Sequence, residues 1–346
     1  MSFGTRAGNT VTFGAIEVDL SQLDLNDHSS RVDWVRISSC VFIVLVLATV
    51  GLRVFARAMC VRKIFTDDIL IISAAVFTVA LASTCLAATN DGLGTHIWLL
   101  PMARIFETIK NCVLYLYICQ ILYAFAISLT KIAVISSYLR FIQEKGFRWS
   151  MYTIAMSILA LWVTGVFVTV FQCQPVSGAW NFTLADRRCI NYVNYLYASS
   201  AVNVLTDILL CVLPWPHLWR LNMPLKQRII LCMLLAGGMS ACVIGIVRVA
   251  YLGTLRSTDI TFSAVPCLIL SVGECSLGIV SVSIPALRPL VQRLFPSMRS
   301  PGSSSQRRSW HVRLGSVARK RDKPTSNATD KQAVSISQEN LTQIAD

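Results

Sequence analysis

Seven long apolar runs divide this chain, each about the ~20 residues an α-helix needs to cross a bilayer core. They cover Ile37 to Ala56, Ile69 to Ala88, Val113 to Tyr138, Met151 to Phe171, Tyr195 to Pro214, Ile229 to Leu252 and Ala264 to Leu287. Inside a bilayer no water satisfies the backbone, so each run must close its N–H and C=O groups within a helix. No stretch alternates as a barrel strand does. The pattern predicts an all-α polytopic membrane protein, a seven-transmembrane helix bundle.

Composition agrees, because only 14% of the 346 residues are charged against about 25% in soluble domains. The net charge of +13 would suit nucleic acid only on a basic face of a soluble domain. Instead the basic residues follow the loops. Arg31, Asp33 and Arg36 flank the first run on one side, and Arg53, Arg57, Arg62 and Lys63 on the other, which predicts an outside amino terminus. On that topology 21 Lys and Arg fall inside and eight outside, with Lys131 and Arg248 in the spans. The expected partner is the lipid bilayer, at the plasma membrane, with no nucleic acid. Residues 1–33 lack an apolar signal-peptide core, so the first span targets the chain.

Three regions follow: an extracellular tail at 1–33, the bundle at 34–291, and a basic cytoplasmic tail at 292–346 with the composition of a disordered segment. In that last tail Arg319-Lys320-Arg321 suits anionic lipid, and the interleaved serines suit phosphorylation; a solvated topogenic tail is the alternative. The sequon at Asn181 lies in a loop expected outside, where it could carry a glycan.

Most of the twelve cysteines lie in apolar runs, as small hydrophobes. Cys173 and Cys189 share the loop between spans four and five, and Cys112 begins span three. A Cys173–Cys189 disulfide is the expectation, with Cys112 paired to either as the alternative. The four histidines are scattered, so no metal site is expected.

Charged residues inside spans are the chemical signal, since each costs about 2.5–3.5 kcal/mol at mid-membrane on insertion scales. Asp207, Glu274, Arg248 and Lys131 are such residues, although Lys131 could snorkel toward an interface. Asn203 shares a helix face with Asp207. Ser271, Glu274, Gly278 and Ser281 make a polar stripe on span seven, and Gly237, Ala241 and Gly245 on span six permit close packing. Lys131, Asn203, Asp207, Arg248 and Glu274 are therefore candidates to line a ligand pocket; the plainer alternative is ion pairing that locks the helices. No catalytic residue is assigned. No lysine occurs between Lys226 and Lys320, so span seven has none for a retinal Schiff base and no cofactor is expected. Walker A, His-Glu-x-x-His and Gly-x-Ser-x-Gly motifs are also missing from the sequence.

The ordered pieces Arg53-x-Phe55-x-Arg57, Asp67-Asp68, Gly92-Leu93-Gly94-Thr95-His96, Leu129-Thr130-Lys131, Tyr138-Leu139-Arg140-Phe141, Gln172-Cys173-Gln174-Pro175, Trp180, Cys189, Leu213-Pro214 and Pro285-Ala286-Leu287-Arg288-Pro289 carry a resemblance. The chain resembles the fungal rhodopsin-like integral membrane proteins, relatives of the receptor-like proteins of filamentous ascomycetes that lack the CFEM ectodomain. That resemblance implies a receptor-like protein sensing an unknown small-molecule or surface ligand, often discussed as coupled to a heterotrimeric G protein. Arg140, Lys145, Arg148, Lys226 and Arg228 would then be cytoplasmic coupling candidates. Members also occur among secondary-metabolite genes, which implies the alternative of a pathway enzyme or accessory protein.

Local chemistry gives further expectations. Asp67 and Asp68 open a helix, where capping is expected and contact with a partner is the alternative. Gly92 and Gly94 suit a turn, and His96 reads as incidental there. Trp98, Trp180, Trp149, Trp215 and Trp219 read as interfacial anchors.

Overall fold

A computed structural model describes residues 10–13, 16–19, 28–61, 66–100, 105–181, 184, 186–216, 225–256 and 259–294. Side chains of 10–13, 16–19, 60–61, 141, 225–228, 230–231, 255–256 and 288–294 are outside that description, as is the whole of Ser300–Asp346.

Each apolar run forms a helix: α1 (Val32–Ala56), α2 (Thr66–Ala88), α3 (Ile105–Phe141), α4 (Lys145–Val170), α5 (Tyr192–Val212), α6 (Leu225–Tyr251) and α7 (Val265–Leu294). All seven are long and apolar enough to span a bilayer. The helices outrun the apolar stretches where polar residues continue the backbone ladder. At 37 residues, α3 is ~55 Å long at 1.5 Å per residue, and its first turns carry Glu107, Lys110 and Asn111. Asn191 caps α5, its side chain accepting from the Asn194 N–H at 3.3 Å.

Near the amino terminus, where only a tail is expected, β1 (Thr10–Phe13) and β2 (Ile16–Asp19) pair as an antiparallel hairpin. A second short pair, β3 (Cys173–Gln174) and β4 (Arg188–Cys189), lies between α4 and α5. Its facing residues Cys173 and Cys189 form the disulfide, and Cys112 is a free, buried thiol.

The central helix is α7, which packs on α1, α2, α3 and α6, while α4 leans mainly on α3. Large apolar side chains such as Val44, Met156 and Phe167 are more than half exposed on the outer helix faces, a surface that suits lipid rather than water. The apolar core falls into two clusters. One, with Val35, Leu81, Cys119 and Val272, lies toward the disulfide end; the other, with Ile71, Tyr138, Met151, Leu210 and Ile279, lies toward the opposite end. Buried Lys131, Asp207, Arg248 and Glu274 sit at the seam between them.

Close helix approach makes that seam compact. A Cβ on Gly237 would overlap the Ser281 side chain, and one on Gly278 would lie 2.6 Å from Thr130 Cγ2. These glycines let α6 and α3 close on α7.

Candidate ligand site

The seam holds two ion pairs. Lys131 on α3 pairs with Asp207 Oδ1 on α5 at 2.8 Å, and its ammonium also donates to the Asn203 carbonyl at 2.8 Å, Asn203 Oδ1 at 2.7 Å and Thr206 Oγ1 at 2.9 Å. With the side chain only 5% exposed, Lys131 does not snorkel; acceptors on the facing turn of α5 hold it inside, correcting the snorkelling alternative. Arg248 on α6 stands 3.7 Å from Glu274 Oε2 on α7 and lies over the Tyr123 ring at 4.5 Å. Glu274, fully buried, accepts from the Tyr123 hydroxyl at 2.9 Å and from Asn203 Nδ2 at 3.1 Å. Asn203 thus joins the pairs, accepting from Lys131 while donating to Glu274.

All five sequence-derived pocket residues therefore meet in one layer. Tyr123, Thr206 and Ser200 were missed, yet Tyr123 was within reach: Tyr123, Ile127 and Lys131 stand four apart on one helical face. Two buried atoms of the layer have no hydrogen-bond partner, Asp207 Oδ2 and Arg248 Nε.

Space accompanies the charges. A cavity of about 270 Å³ lies between α3, α5, α6, α7 and the loop closed by Cys173–Cys189. Its walls include Leu116, Leu196 and Leu268, while Gln120, Ser200 and Arg248 supply polarity. Those three also line a second cavity of about 80 Å³. A third, of about 30 Å³, is bordered by Lys131, Asp207 and Glu274. Among the described residues no group of His, Cys, Asp and Glu could hold a metal ion.

At the end opposite the disulfide, a second polar cluster ties α1, α2, α3 and α7. Arg53, almost wholly buried, donates to Asp67 at 2.7 Å, Asp68 at 2.9 Å and the Val282 carbonyl at 2.8 Å. Arg57 stands 3.4 and 3.3 Å from the same carboxylates, and Arg140 is 3.7 Å from Asp67. Partner contact, the lesser expectation for Asp67 and Asp68, is therefore present. The doublet lies 14 and 15 residues after Arg53 in sequence. Lys145 and Arg148 are exposed at the start of α4. Lys226 and Arg228 belong to α6, with side chains outside the described residues.

The loops at the disulfide end form a third cluster. Gly92 and Gly94 hold φ of +90° and +95°, the left-handed region suited to glycine. His96 is buried, with Nδ1 2.5 Å from Asp259 Oδ2 and Nε2 3.2 Å from Ser29 Oγ. It stacks on Phe262 and Trp98, with ring centroids 3.8 and 4.3 Å away. His96 is thus a tie between three chain segments rather than an incidental loop residue. Trp98 and Trp180, the latter against Tyr117 at 5.4 Å, pack on protein aromatics, and Trp149 and Trp215 are exposed. Trp219 lies outside the described residues, as do Arg62, Lys63, the last two residues of the Asn181 sequon and the basic and serine-rich tail.

The family model described as the fungal rhodopsin domain matches residues 52–293. A polyenoic acids biosynthesis gene cluster protein of Metarhizium anisopliae is 28% identical over 266 residues, covering 73% of this chain and 72% of that protein. A SAT4 family membrane protein of Emericella nidulans is 28% identical over 215 residues, covering 61% of this chain and 53% of its own length. The receptor GIN3 of Arthrobotrys oligospora is 21% identical over 262 residues, covering 75% and 63% of the two chains.

Proposed function

The chain belongs to the fungal rhodopsin domain family of multi-pass membrane proteins, and from that premise we propose that it is a receptor-like protein that binds a small extracellular ligand. Fold alone does not establish this. The observation that carries it is the cavity of about 270 Å³ whose polar residue Arg248 is ion-paired to Glu274, a member of the hydrogen-bonded layer with Asn203 and Lys131. A ligand that moves Arg248 changes the field on Glu274, its ion-pair partner at 3.7 Å, and Glu274 is hydrogen-bonded to Asn203, which accepts from Lys131. Binding to one helix arrangement better than another is what converts such a shift into a signal.

The disulfide end faces outside in this reading, supported by the loop charges and by a disulfide, which needs an oxidising compartment. The opposite end, with Arg140, Lys145, Arg148, Lys226 and Arg228, faces a heterotrimeric G protein at the inner surface of the plasma membrane. The test is a fungal strain expressing the full chain with a cyclic-AMP reporter. Ala179→Trp, which fills the cavity from the loop side, abolishes the response to culture extracts that activate the wild type. A deletion strain whose G-protein and cyclic-AMP readouts match the parent under every extract refutes the receptor reading.

A second reading, a pathway enzyme or accessory protein, is favoured by the biosynthesis-cluster relative and by the unpartnered Asp207 Oδ2 beside the small cavity. Asp207 and Glu274 would then exchange protons with an apolar substrate. It requires that Asp207→Asn and Glu274→Gln each stop metabolite conversion in isolated membranes; conversion by both variants sinks it.

A further inference from the structure

We infer that the ligand of the large cavity is a small apolar carboxylic acid, its carboxylate held by Arg248 at the polar end shared with Ser200 and Gln120. The inference rests on the receptor reading only in naming the ligand that reading leaves open.

The argument starts from an imbalance between the two ion pairs. Lys131 has an acceptor for every proton, with Asp207, both Asn203 oxygens and Thr206 within 2.9 Å. Arg248 has five N–H groups in a planar fork and lacks such acceptors. Its Nε is buried without a partner, its Nη2 reaches Ser200 only at 3.4 Å, and Glu274 lies 3.7 Å from Nη1, beyond hydrogen-bond distance. Glu274 meanwhile takes its hydrogen bonds from the neutral donors Tyr123 and Asn203. The acid is satisfied; the guanidinium is not. A buried cation without close acceptors is costly, and a carboxylate supplies two acceptor oxygens in the geometry of the fork.

The rest of the cavity sets the body of the ligand. Leu116, Leu196, Leu252 and Leu268 make the walls apolar, and the volume of about 270 Å³ holds about nine water-sized atoms at ~30 Å³ each. A medium-chain or aryl-alkyl acid matches that size. An amine would set a second cation beside Arg248, while an ester or alcohol offers no charge.

The test uses the full chain in phosphatidylcholine nanodiscs, with octanoate, methyl octanoate and octylamine as probes and empty nanodiscs as the partition blank. Calorimetry should give octanoate at least about tenfold tighter than either comparator, the factor expected of one charge-assisted contact. Gln120→Glu, a near-isosteric change that puts a carboxylate into the same end of the cavity, should remove octanoate's advantage and leave the ester unchanged. Arg248→Gln combined with Glu274→Gln, which keeps the layer neutral, should do the same; Gln120→Glu decides the matter if that double variant does not fold. Equal binding of acid and ester, full octanoate affinity in Gln120→Glu, or no saturable octanoate binding up to about 1 mM overturns the inference. Because binding is read on purified protein, the receptor reading fails separately: acid-selective binding with a silent cellular reporter refutes signalling and leaves the ligand class standing.

Discussion

Replacing Lys131 and Asp207 singly and together separates a pair that locks the bundle from a layer kept for function. In Lys131→Met both Asp207 oxygens lose their cation, since Oδ1 has Lys131 as its ion-pair partner and Oδ2 has no hydrogen-bond partner. An uncompensated buried charge of this kind costs about 3–5 kcal/mol. Asp207→Leu is milder, because the Lys131 ammonium keeps acceptors at Asn203 and Thr206; about 1–3 kcal/mol is expected. The double variant should recover to about 1–2 kcal/mol below wild type, because an apolar pair can replace a buried ion pair and the remaining loss is the hydrogen bond that Asn203 Oδ1 accepts from the Lys131 ammonium. The coupling between the sites, the summed single losses less the loss in the double variant, is then about 2–7 kcal/mol. Reversible unfolding in mixed micelles measures it, with thiol labelling of buried Cys119 and Cys275 reporting opening of the core. Single losses that simply add in the double variant would refute the argument. A stable double variant that no longer signals would show that the layer serves more than packing.

Gly237→Ala should cost about 1–3 kcal/mol by overpacking and be rescued by Ser281→Gly, the side chain its Cβ meets; melting temperatures of the two variants check this. Cys173→Ser and Cys189→Ser should each lose about 3 kcal/mol, the scale for a loop of 16 residues. Cys112→Ser should leave peptide mapping under non-reducing conditions unchanged. Arg53→Met should destabilise the protein by about 3 kcal/mol, the low end for a broken buried pair, because Arg57 remains within 3.4 Å of both carboxylates. Arg53→Lys should fall between that variant and wild type in micellar unfolding, since an ammonium lacks the planar fork that spans Asp67, Asp68 and the Val282 carbonyl.

The spans were legible because a bilayer imposes length and apolarity on each helix separately. Their ends were less so: the polar first turns of α3, with Glu107, Lys110 and Asn111, and the first residues of α4 continue as helix because backbone bonding does not stop where hydrophobicity does. Arg53 shows a different failure. Its position at the end of an apolar run marks it as a topogenic flank, but folding turns it inward onto the Asp67-Asp68 doublet, so a charge read as surface is among the most buried large side chains. His96 is similar, since Asp259 and Ser29 lie 163 and 67 residues away in sequence.

By itself the sequence determined seven helices, the residues too polar to face lipid and the local pairing of Cys173 with Cys189 as first choice. Only the tertiary structure decided which charges meet: Lys131 with Asp207, Arg248 with Glu274, and Asn203 between them. Desolvation obliges each buried charge to find partners, but partners on four different helices depend on how α3, α5, α6 and α7 are rotated against one another. Side-chain packing at Gly237, Gly245 and Gly278 sets those rotations, and of the two cations in these ion pairs it leaves Arg248 the one with no carboxylate at hydrogen-bond distance.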